Sequence, residues 1–272
     1  MKPSFFIAGG VKCGTSSLYR YLNMHPQVLP CKTKEPQYFN IKKKWKRLKK
    51  RSWYFSQFPE KNSLQPIKAG WLDIGKNGHM EASQFEKKRE QGITYITGEA
   101  SASTFANGDP AFLKSVLPDI KVIILLRDPT DRYISHYNMF RRFKEEGRPA
   151  YASLEDLLTF VKWEIKNHEA SRKTKILQQG LYASLLKKWY RHFSKEQIKI
   201  YLSKDLLAEA KRKEILEELS DFLGIDAYDY EMDMLLYNKA RSKMEAEEAE
   251  AMLKVFYHRY NKVLGDEYGV WV

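Results

Sequence analysis

The sequence predicts an α/β fold in which a central parallel sheet is flanked by helices. Three observations support this prediction. Apolar runs typical of strands alternate with stretches of helical periodicity along the chain. Residues 122–126 are continuously apolar, as expected of a strand that is covered on both faces. The first apolar run leads into a glycine loop and then into a helical pattern, which is the order of a βαβ unit.

The elements follow one another in a regular order. Strands are expected at residues 4–8, 93–97, 122–126 and 198–202. Helices are expected from the first loop up to Pro26, and at residues 82–91, 130–146, 154–167, 176–193, 214–223 and 245–264. No linker rich in proline, glycine or serine divides the chain, so residues 1–272 are expected to form a single domain with long excursions at residues 40–92 and 140–190. Ligands of such sheets bind beyond the carboxyl ends of the strands, and functional residues should therefore follow strands.

The composition is that of a folded, basic protein. The 272 residues include 47 Lys and Arg against 34 Asp and Glu, a net charge of +13, and 43% of them are hydrophobic, which is too many for a disordered chain. The charge favours an anionic partner, namely nucleic acid, an acidic membrane surface, a polyanionic sugar or a phosphorylated cofactor. Cys13 and Cys31 cannot form a disulfide framework. No apolar run reaches the roughly 18 residues of a membrane helix, so we expect a soluble, cytoplasmic protein with no membrane partner.

A glycine loop, residues 9–17 (GGVKCGTSS), follows the first strand. A strand that leads through such a loop into a helix presents unpaired backbone N–H groups and a positive dipole end, which bind phosphate. The loop is not a Walker A sequence, because that motif places its lysine after the last glycine, whereas Lys12 precedes Gly14. For this segment alone, the alternative is an ordinary glycine turn with Thr15 or Ser16 as the helix N-cap.

A second phosphate-binding candidate follows the continuously apolar strand. Arg127 stands at the carboxyl end of that strand, and Asp128 is expected to be the N-cap of the next helix. Ser135 lies about two turns into this helix, so that Arg127 and Ser135 could hold one phosphate together. The alternative is that Arg127 forms an ion pair with Asp128 or Asp131.

Together the two segments resemble the 5'-phosphosulfate loop and the 3'-phosphate motif of sulfotransferases that use 3'-phosphoadenosine 5'-phosphosulfate (PAPS). The resemblance runs from residue 4 to about residue 265 and is to the carbohydrate (heparan-type) branch and its bacterial relatives. Further matching segments are HPQV, KEPQYF, Trp53-Tyr54, Phe58-Pro59, Gly180-Leu181-Tyr182, Trp189, residues 198–202 and Phe222-Leu223-Gly224. The resemblance implies one α/β domain with a P-loop-kinase-like core. It also implies that PAPS is a consumed donor and that adenosine 3',5'-bisphosphate is the product.

The resemblance also implies roles for individual residues. Lys12 would meet the bridging oxygen of the phosphosulfate, and Arg127 and Ser135 would hold the 3'-phosphate. The 5' end would be held by the donor-binding loop, which comprises Cys13, Gly14, Thr15, Ser16 and Ser17. The Cys13 thiol is interpreted as a packing group and not as a nucleophile. Glu35 in KEPQYF corresponds to the usual general base, which takes a proton from the acceptor hydroxyl. The alternative for Glu35 is an ion pair with Lys32 or Lys34.

The sequence departs from the family pattern in two places. Many animal enzymes of this branch carry a second active-site lysine in an E-K-[ST] segment, where this chain has Glu99-Ala100-Ser101. Charge stabilisation would then rest on Lys12 and the helix dipole, or on another basic residue. The family's C-terminal lysine-glycine phosphate loop has only a loose counterpart in residues 238–241, which makes Lys239 and Arg241 further candidates for the 3'-phosphate.

The histidines indicate neither a metal nor a base. His79, His168, His192 and His258 lack metal-ligand spacing, so no metal is expected. His136 is interpreted as structural, although some sulfotransferases outside this branch use a histidine base.

The predicted function is sulfuryl transfer from PAPS to a hydroxyl, or less readily an amine, of a small metabolite or saccharide, with no nucleic acid as partner. Two other functions stay open. A P-loop-type phosphotransferase would need a Walker lysine and a magnesium carboxylate. A nucleic-acid-binding module would use the net charge and the basic run at residues 42–51 (KKKWKRLKKR). Within the enzyme interpretation, this run either is a solvated face or attracts an anionic acceptor.

Overall fold

The computed structural model describes residues 1–61, 67–74, 80–87, 90, 92–169, 175–230 and 247–272. The strands are β1 (Phe5–Ile7), β2 (Val28–Leu29), β3 (Ile67–Ile74), β4 (Met80–Lys87), β5 (Ile96–Ala100), β6 (Lys121–Leu126) and β7 (Ile198–Leu202). Five of them form a parallel sheet of order β2-β5-β1-β6-β7, and β3 and β4 pair with each other as a separate antiparallel sheet. The predicted α/β class with a central parallel sheet is confirmed.

Helices surround the parallel sheet. They are α1 (Thr15–Met24), α2 (Lys44–Ser56), α3 (Thr104–Asn107), α4 (Pro110–Val116), α5 (Pro129–Glu145), α6 (Leu157–Asn167), α7 (Lys175–Gln178), α8 (Tyr182–Tyr190), α9 (Ser203–Leu207), α10 (Glu209–Leu223) and α11 (Glu247–Tyr268). The Asp128 carboxylate accepts a hydrogen bond from the Asp131 N–H at 2.9 Å, which confirms the predicted N-cap of α5. In the part of the chain that the structure describes, no helix is long and apolar enough to cross a membrane.

The core lies on both faces of the parallel sheet. All three residues of β1 and residues 122–126 of β6 are fully buried, which confirms the prediction of a strand covered on both faces. Trp189 of α8 is also fully buried and donates its indole N–H to the Phe105 carbonyl at 2.9 Å. Because the five strands are parallel, their carboxyl ends meet at one edge, and the loops that follow them lie side by side.

The helix predicted at residues 82–91 is wrong. Residues 80–87 form β4, which pairs with β3 from Met80 opposite Ile74 to Lys87 opposite Ile67. The local composition suits a helix, but the hydrogen bonds that β3 offers along this whole length outweigh the local preference. The excursion at residues 40–92 thus contains two paired strands and, before them, α2, which carries most of the basic run.

The single helix predicted at residues 176–193 is interrupted. α7 ends before Gly180 and α8 begins after it. A β-carbon at Gly180 would lie 2.7 Å from the hydroxyl oxygen of Tyr257 in α11, closer than real contacts allow. The tight approach of α11 therefore requires glycine at this position and separates α7 from α8.

Candidate active site

A cavity of about 880 Å³ opens at the carboxyl edge of the parallel sheet. Each of the five strands contributes to its wall through residues that follow it. They are Lys12 after β1, Glu35 after β2, Ser103 after β5, Arg127 after β6 and Lys204 after β7. The volume is within the range of pockets that hold a small-molecule ligand. The cavity therefore lies at the edge of the sheet where the sequence predicted the site.

The loop between β1 and α1 forms one wall of this cavity. A β-carbon at Gly9 would lie 2.7 Å from the backbone nitrogen of Leu125, so the loop packs directly on β6. Lys12 and Gly14 adopt left-handed backbone conformations, with φ of 72° and 85°. Gly14 is the N-cap of α1 and has no side chain to cap it, which rules out the alternative of a serine or threonine N-cap. The loop residues that line the cavity are Val11, Lys12, Gly14, Thr15, Ser16 and Ser17.

Lys12 lies in a strongly positive environment. Burial, followed in decreasing order of effect by the charges of Arg142, Arg127 and Lys34, lowers the pKa of its ammonium group to about 8. Three other cationic side chains thus act on the charge of Lys12, and one of them, Arg127, lines the cavity with it. Such a concentration of like charge is stabilised by a bound anion, and it favours a ligand with several negative charges.

Cys13 supports the loop and does not line the cavity. Its thiol is fully buried and lies 3.9 Å from the Tyr182 hydroxyl. Its backbone carbonyl accepts a hydrogen bond from the Ser203 hydroxyl at 2.5 Å, and its N–H donates to the Gly10 carbonyl at 3.1 Å. Burial raises the pKa of the thiol to about 11, so it stays protonated and unreactive. The interpretation of Cys13 as a packing residue fits this position.

Arg127 and Ser135 line the cavity from the junction of β6 and α5. The Arg127 guanidinium lies 3.3 Å from the Asp131 carboxylate, so the alternative ion pair does form. Such an exposed pair between residues four apart contributes little stability, which leaves the guanidinium available to an anion in the cavity. The Tyr182 hydroxyl donates to the Arg127 carbonyl at 2.9 Å and fixes the backbone at this junction.

The Glu35 carboxylate faces the cavity from the loop after β2. It lies 3.1 Å from the Lys34 ammonium, so the alternative ion pair is present, and its side chain is still 30% exposed. The Gln37 side-chain amide lies 3.5 Å from the second carboxylate oxygen. Glu35 and Gln37 both have left-handed backbones, with φ of 59° and 51°. Glu35 thus forms the ion pair with Lys34 and still lies on the cavity wall, where the sequence analysis expected it.

A second carboxylate, Glu99, is buried behind the Glu35 loop. It is 0% exposed and accepts hydrogen bonds from the Tyr54 hydroxyl at 2.7 Å and the Ser101 hydroxyl at 2.6 Å. Burial raises its pKa to about 7; the two hydroxyl donors oppose this shift, and the charge of Glu35 adds to it. The Ser101 oxygen in turn accepts the backbone N–H of Gln37 at 3.3 Å. Sequence reasoning noted this segment only for the lysine that it lacks.

His136 lines the cavity but is a poor candidate for a base. Burial and the charges of Arg132 and Lys12 lower the pKa of its imidazole to about 3. One ring nitrogen lies 3.4 Å from the Arg132 guanidinium, and the ring packs edge-on against Phe140. These contacts support the structural role predicted for it. No group of three or more His, Cys, Asp or Glu side chains within the described ranges could hold a metal.

The remaining candidate residues either lie outside the described residues or away from the cavity wall, and two residues of the wall were not predicted. Lys239 and Arg241 lie outside the described residues. Ala100, which stands in place of the family lysine, is buried. Sequence reasoning missed Lys204 and Ser203 on the cavity wall, although both come directly after β7, where the rule that sites follow strands could have found them.

Comparisons with known proteins identify the family to which this chain is similar. A family model described as a sulfotransferase domain matches residues 2–262. Human carbohydrate sulfotransferase 15 is 26% identical over 313 residues, covering 99% of this chain and 54% of that protein, so the chain spans about half the length of this relative. Mouse bifunctional heparan sulfate N-deacetylase/N-sulfotransferase 4 is 26% identical over 228 residues, covering 82% of this chain and 22% of that protein.

The fold also matches a solved structure. The crystal structure of a sulfotransferase from Alicyclobacillus acidocaldarius has a TM-score of 0.63 and 24% sequence identity, and the match covers 100% of this chain and 98% of that one. This likeness shows a shared fold. The match of the family model to nearly the whole length confirms the resemblance predicted from the motifs, and the chain belongs to the sulfotransferase family.

Proposed function

We propose that this protein transfers a sulfuryl group from PAPS to a hydroxyl group of a carbohydrate. The observation that carries the proposal is that one cavity collects the N-terminus of α1, the Arg127 guanidinium and the Glu35 carboxylate. Membership of the sulfotransferase family supports the chemistry. The carbohydrate and heparan sulfate sulfotransferases among the relatives support a saccharide acceptor.

The chemistry of the cavity wall fits a donor with two anionic ends. The uncapped N–H groups at the start of α1, together with Lys12, suit the 5'-phosphosulfate. Arg127 and Ser135 suit the 3'-phosphate, with the guanidinium offering two parallel hydrogen bonds and the hydroxyl one.

The proposed reaction is an in-line displacement at sulfur. The acceptor oxygen forms a bond to sulfur while the bond from sulfur to the bridging phosphate oxygen breaks. Glu35 takes the proton that the acceptor hydroxyl loses. Lys12 offsets the negative charge that grows on the leaving phosphate oxygen, and the backbone N–H groups of α1 hold that phosphate in line. Arg142 and Lys34, whose charges act on Lys12, add positive charge to a site that has alanine at position 100.

Ligand-induced stabilisation tests the donor. Adenosine 3',5'-bisphosphate is expected to raise the Tm of the protein, since a ligand at about 100 times its Kd stabilises the native state by about 2.7 kcal/mol. In Arg127→Ala the shift should shrink to that seen with adenosine 5'-phosphate, because the 3'-phosphate loses its guanidinium partner. The measurement is a thermal melt with each nucleotide. A shift with ATP and magnesium alone would favour a phosphotransferase, and one with oligonucleotides alone would favour nucleic-acid binding.

A mass-spectrometric product screen tests the acceptor. The protein, PAPS and a panel of saccharides that offer either hydroxyl or amine groups are incubated, and sulfated products are identified. We expect sulfated hydroxyls. Products sulfated on nitrogen alone would assign the chain to amine acceptors.

The basic run forms a surface beside the cavity. We define the basic surface as the exposed cationic residues Lys42, Lys43, Lys44, Lys46, Lys49, Lys50 and Arg51. Lys42 donates a hydrogen bond at 2.5 Å to the carbonyl of Asn107, which lines the cavity. No Asp or Glu occurs between Gln37 and Pro59. The charged side chains of this segment are thus all positive, and Lys42 connects it to the cavity wall, which would suit an anionic acceptor.

Charge reversal tests this role. Replacing Lys43, Lys46, Lys49 and Lys50 with Glu is expected to lower kcat/KM for an anionic acceptor at least tenfold at low salt, with donor binding unchanged. The loss should diminish at high salt, because the Debye length falls from roughly 10 Å at 0.1 M to about 3 Å at 1 M. The matched control reverses four exposed lysines that do not line the cavity, Lys195, Lys213, Lys254 and Lys262. Equal kinetics of the two variants would leave the run as a solvated face.

A further inference from the structure

Glu99 is linked to the Glu35 loop by a chain of hydrogen bonds. Its carboxylate accepts the Ser101 hydroxyl, the Ser101 oxygen accepts the Gln37 N–H, and the Gln37 side-chain amide reaches the Glu35 carboxylate. The first contact is buried, the second is partly buried, and the last is exposed at the cavity. The chain joins the end of β5 to a loop more than 60 residues earlier in the sequence.

The direction of the hydrogen bonds at Ser101 follows from its two partners. Gln37 offers an N–H, which can only donate, so the Ser101 oxygen must accept from it. The Ser101 hydroxyl proton is therefore directed away from Gln37, toward an acceptor, and Glu99 is that acceptor. An apolar side chain at position 99 would leave this proton without a partner.

We propose that Glu99 is a positioning residue for sulfuryl transfer, which holds the left-handed turn at Gln37 through the Ser101 hydroxyl and thereby fixes the Glu35 carboxylate at the acceptor. This inference rests on the proposed function. Glu99 itself does not line the cavity, so it acts through Ser101 and the Gln37 backbone and not on the substrate.

The surroundings of Glu99 make the link sensitive to pH. The titratable groups that face it are Tyr19 from α1, Cys31 and Glu35 from the segment after β2, and Tyr54 from α2, and none of them is a cation. Burial, with a smaller contribution from the charge of Glu35, raises its pKa to about 7. A proton on the oxygen that faces Ser101 would donate to the hydroxyl oxygen, and the Ser101 proton would then lose Glu99 as its acceptor. The orientation of the hydroxyl would no longer be fixed, and its hydrogen bond with the Gln37 N–H would weaken.

Three variants test the link. Ser101→Ala should lower kcat at least tenfold, with the KM for PAPS within twofold of wild type, because only the position of the base changes. The matched control is Ser115→Ala, which removes a serine hydroxyl from exposed α4 and should leave kcat unchanged. Glu99→Gln should retain most of the turnover at pH 8, because the amide oxygen can accept from Ser101 while its NH₂ donates to Tyr54.

The pH profile separates positioning from a merely structural role. In the wild type, turnover should fall as the pH drops through about 7, where Glu99 takes up its proton. In Glu99→Gln this fall should disappear. In Tyr54→Phe the fall should move to higher pH, because the carboxylate loses one of its two donors. An acid limb that is the same in all three proteins would overturn the proposal.

Amide hydrogen exchange tests the hydrogen bond between Gln37 and Ser101 without a sulfuryl acceptor substrate. The Gln37 amide should exchange faster in Ser101→Ala than in the wild type and in Ser115→Ala, since its hydrogen bond is lost. Unchanged exchange refutes the link even if no acceptor is turned over. If the wild-type protein has no sulfotransferase activity, the proposed function is refuted. The exchange rate of the Gln37 amide would still decide whether Ser101 holds the turn at Gln37.

Discussion

Glu35→Gln is expected to lower kcat by about 10²- to 10⁴-fold, the range that a general base contributes, and to leave the affinity for adenosine 3',5'-bisphosphate unchanged. Glutamine has nearly the shape of glutamate but cannot take the proton of the acceptor hydroxyl. Glu35 lines the cavity, and the predicted donor-binding residues lie on other loops, so the two effects should separate. Steady-state kinetics with PAPS and a saccharide acceptor, together with nucleotide titration, measure both.

The Glu35 variant also breaks an ion pair, and this effect needs its own control. Lys34→Gln removes the same 3.1 Å pair but keeps the carboxylate. Its turnover should fall far less than that of Glu35→Gln. Equal losses in the two variants would mean that the ion pair, and not the carboxylate, matters. Normal turnover in Glu35→Gln with an unchanged pH profile would assign the base to another group.

Lys12→Ala is expected to lower kcat by about 10²- to 10³-fold, as the loss of one electrostatic contact to a developing charge does in other enzymes. Lys12 faces the cavity from the loop before α1, where the leaving phosphate would lie. The matched control is Lys204→Ala, which removes a lysine from the cavity wall after β7 and should keep most of the turnover. Comparable losses in both variants would show that only the total charge of the cavity counts.

The same lysine predicts an alkaline limb. Since the pKa of Lys12 is lowered to about 8, the ammonium form is complete well below pH 8 and is lost as the pH rises through that value. The kcat/KM for PAPS reports the free enzyme and should therefore decline above about pH 8. The profile of kcat should decline at higher pH, because the bound anion favours the ammonium form. In Lys12→Ala the decline near pH 8 should be absent.

Elements with a local signal could be predicted from the sequence. The continuously apolar run of β6 and the Asp128-Pro129 pair that begins α5 are visible within a few residues of chain. The loop before α1 is likewise marked by its glycines. Lys12 and Arg127 share one cavity because each follows a predicted strand of the parallel sheet, a rule that needs only the order of the elements. Glu35 follows β2, a two-residue strand that the sequence analysis did not predict, and its candidacy came from the family resemblance.

Features that depend on distant partners could not be predicted. β4 exists because β3 pairs with it, and the break at Gly180 exists because Tyr257 packs there from 77 residues later in the chain. The hydrogen bond between Ser101 and Gln37 also joins residues that are far apart in sequence. In each case the local residues permit several conformations, and the tertiary contact selects one.

The left-handed residues at the cavity have a consequence for engineering this enzyme toward heat resistance. Lys12, Glu35 and Gln37 are the non-glycine residues with positive φ in the described part of the chain, and all three lie on the cavity wall. Each such conformation costs about 1–3 kcal/mol. A screen that selects for melting temperature alone would therefore favour glycine at these positions, where the gain in stability would remove the Lys12 and Glu35 side chains on which the proposed mechanism depends. Stabilising substitutions should be sought away from the cavity.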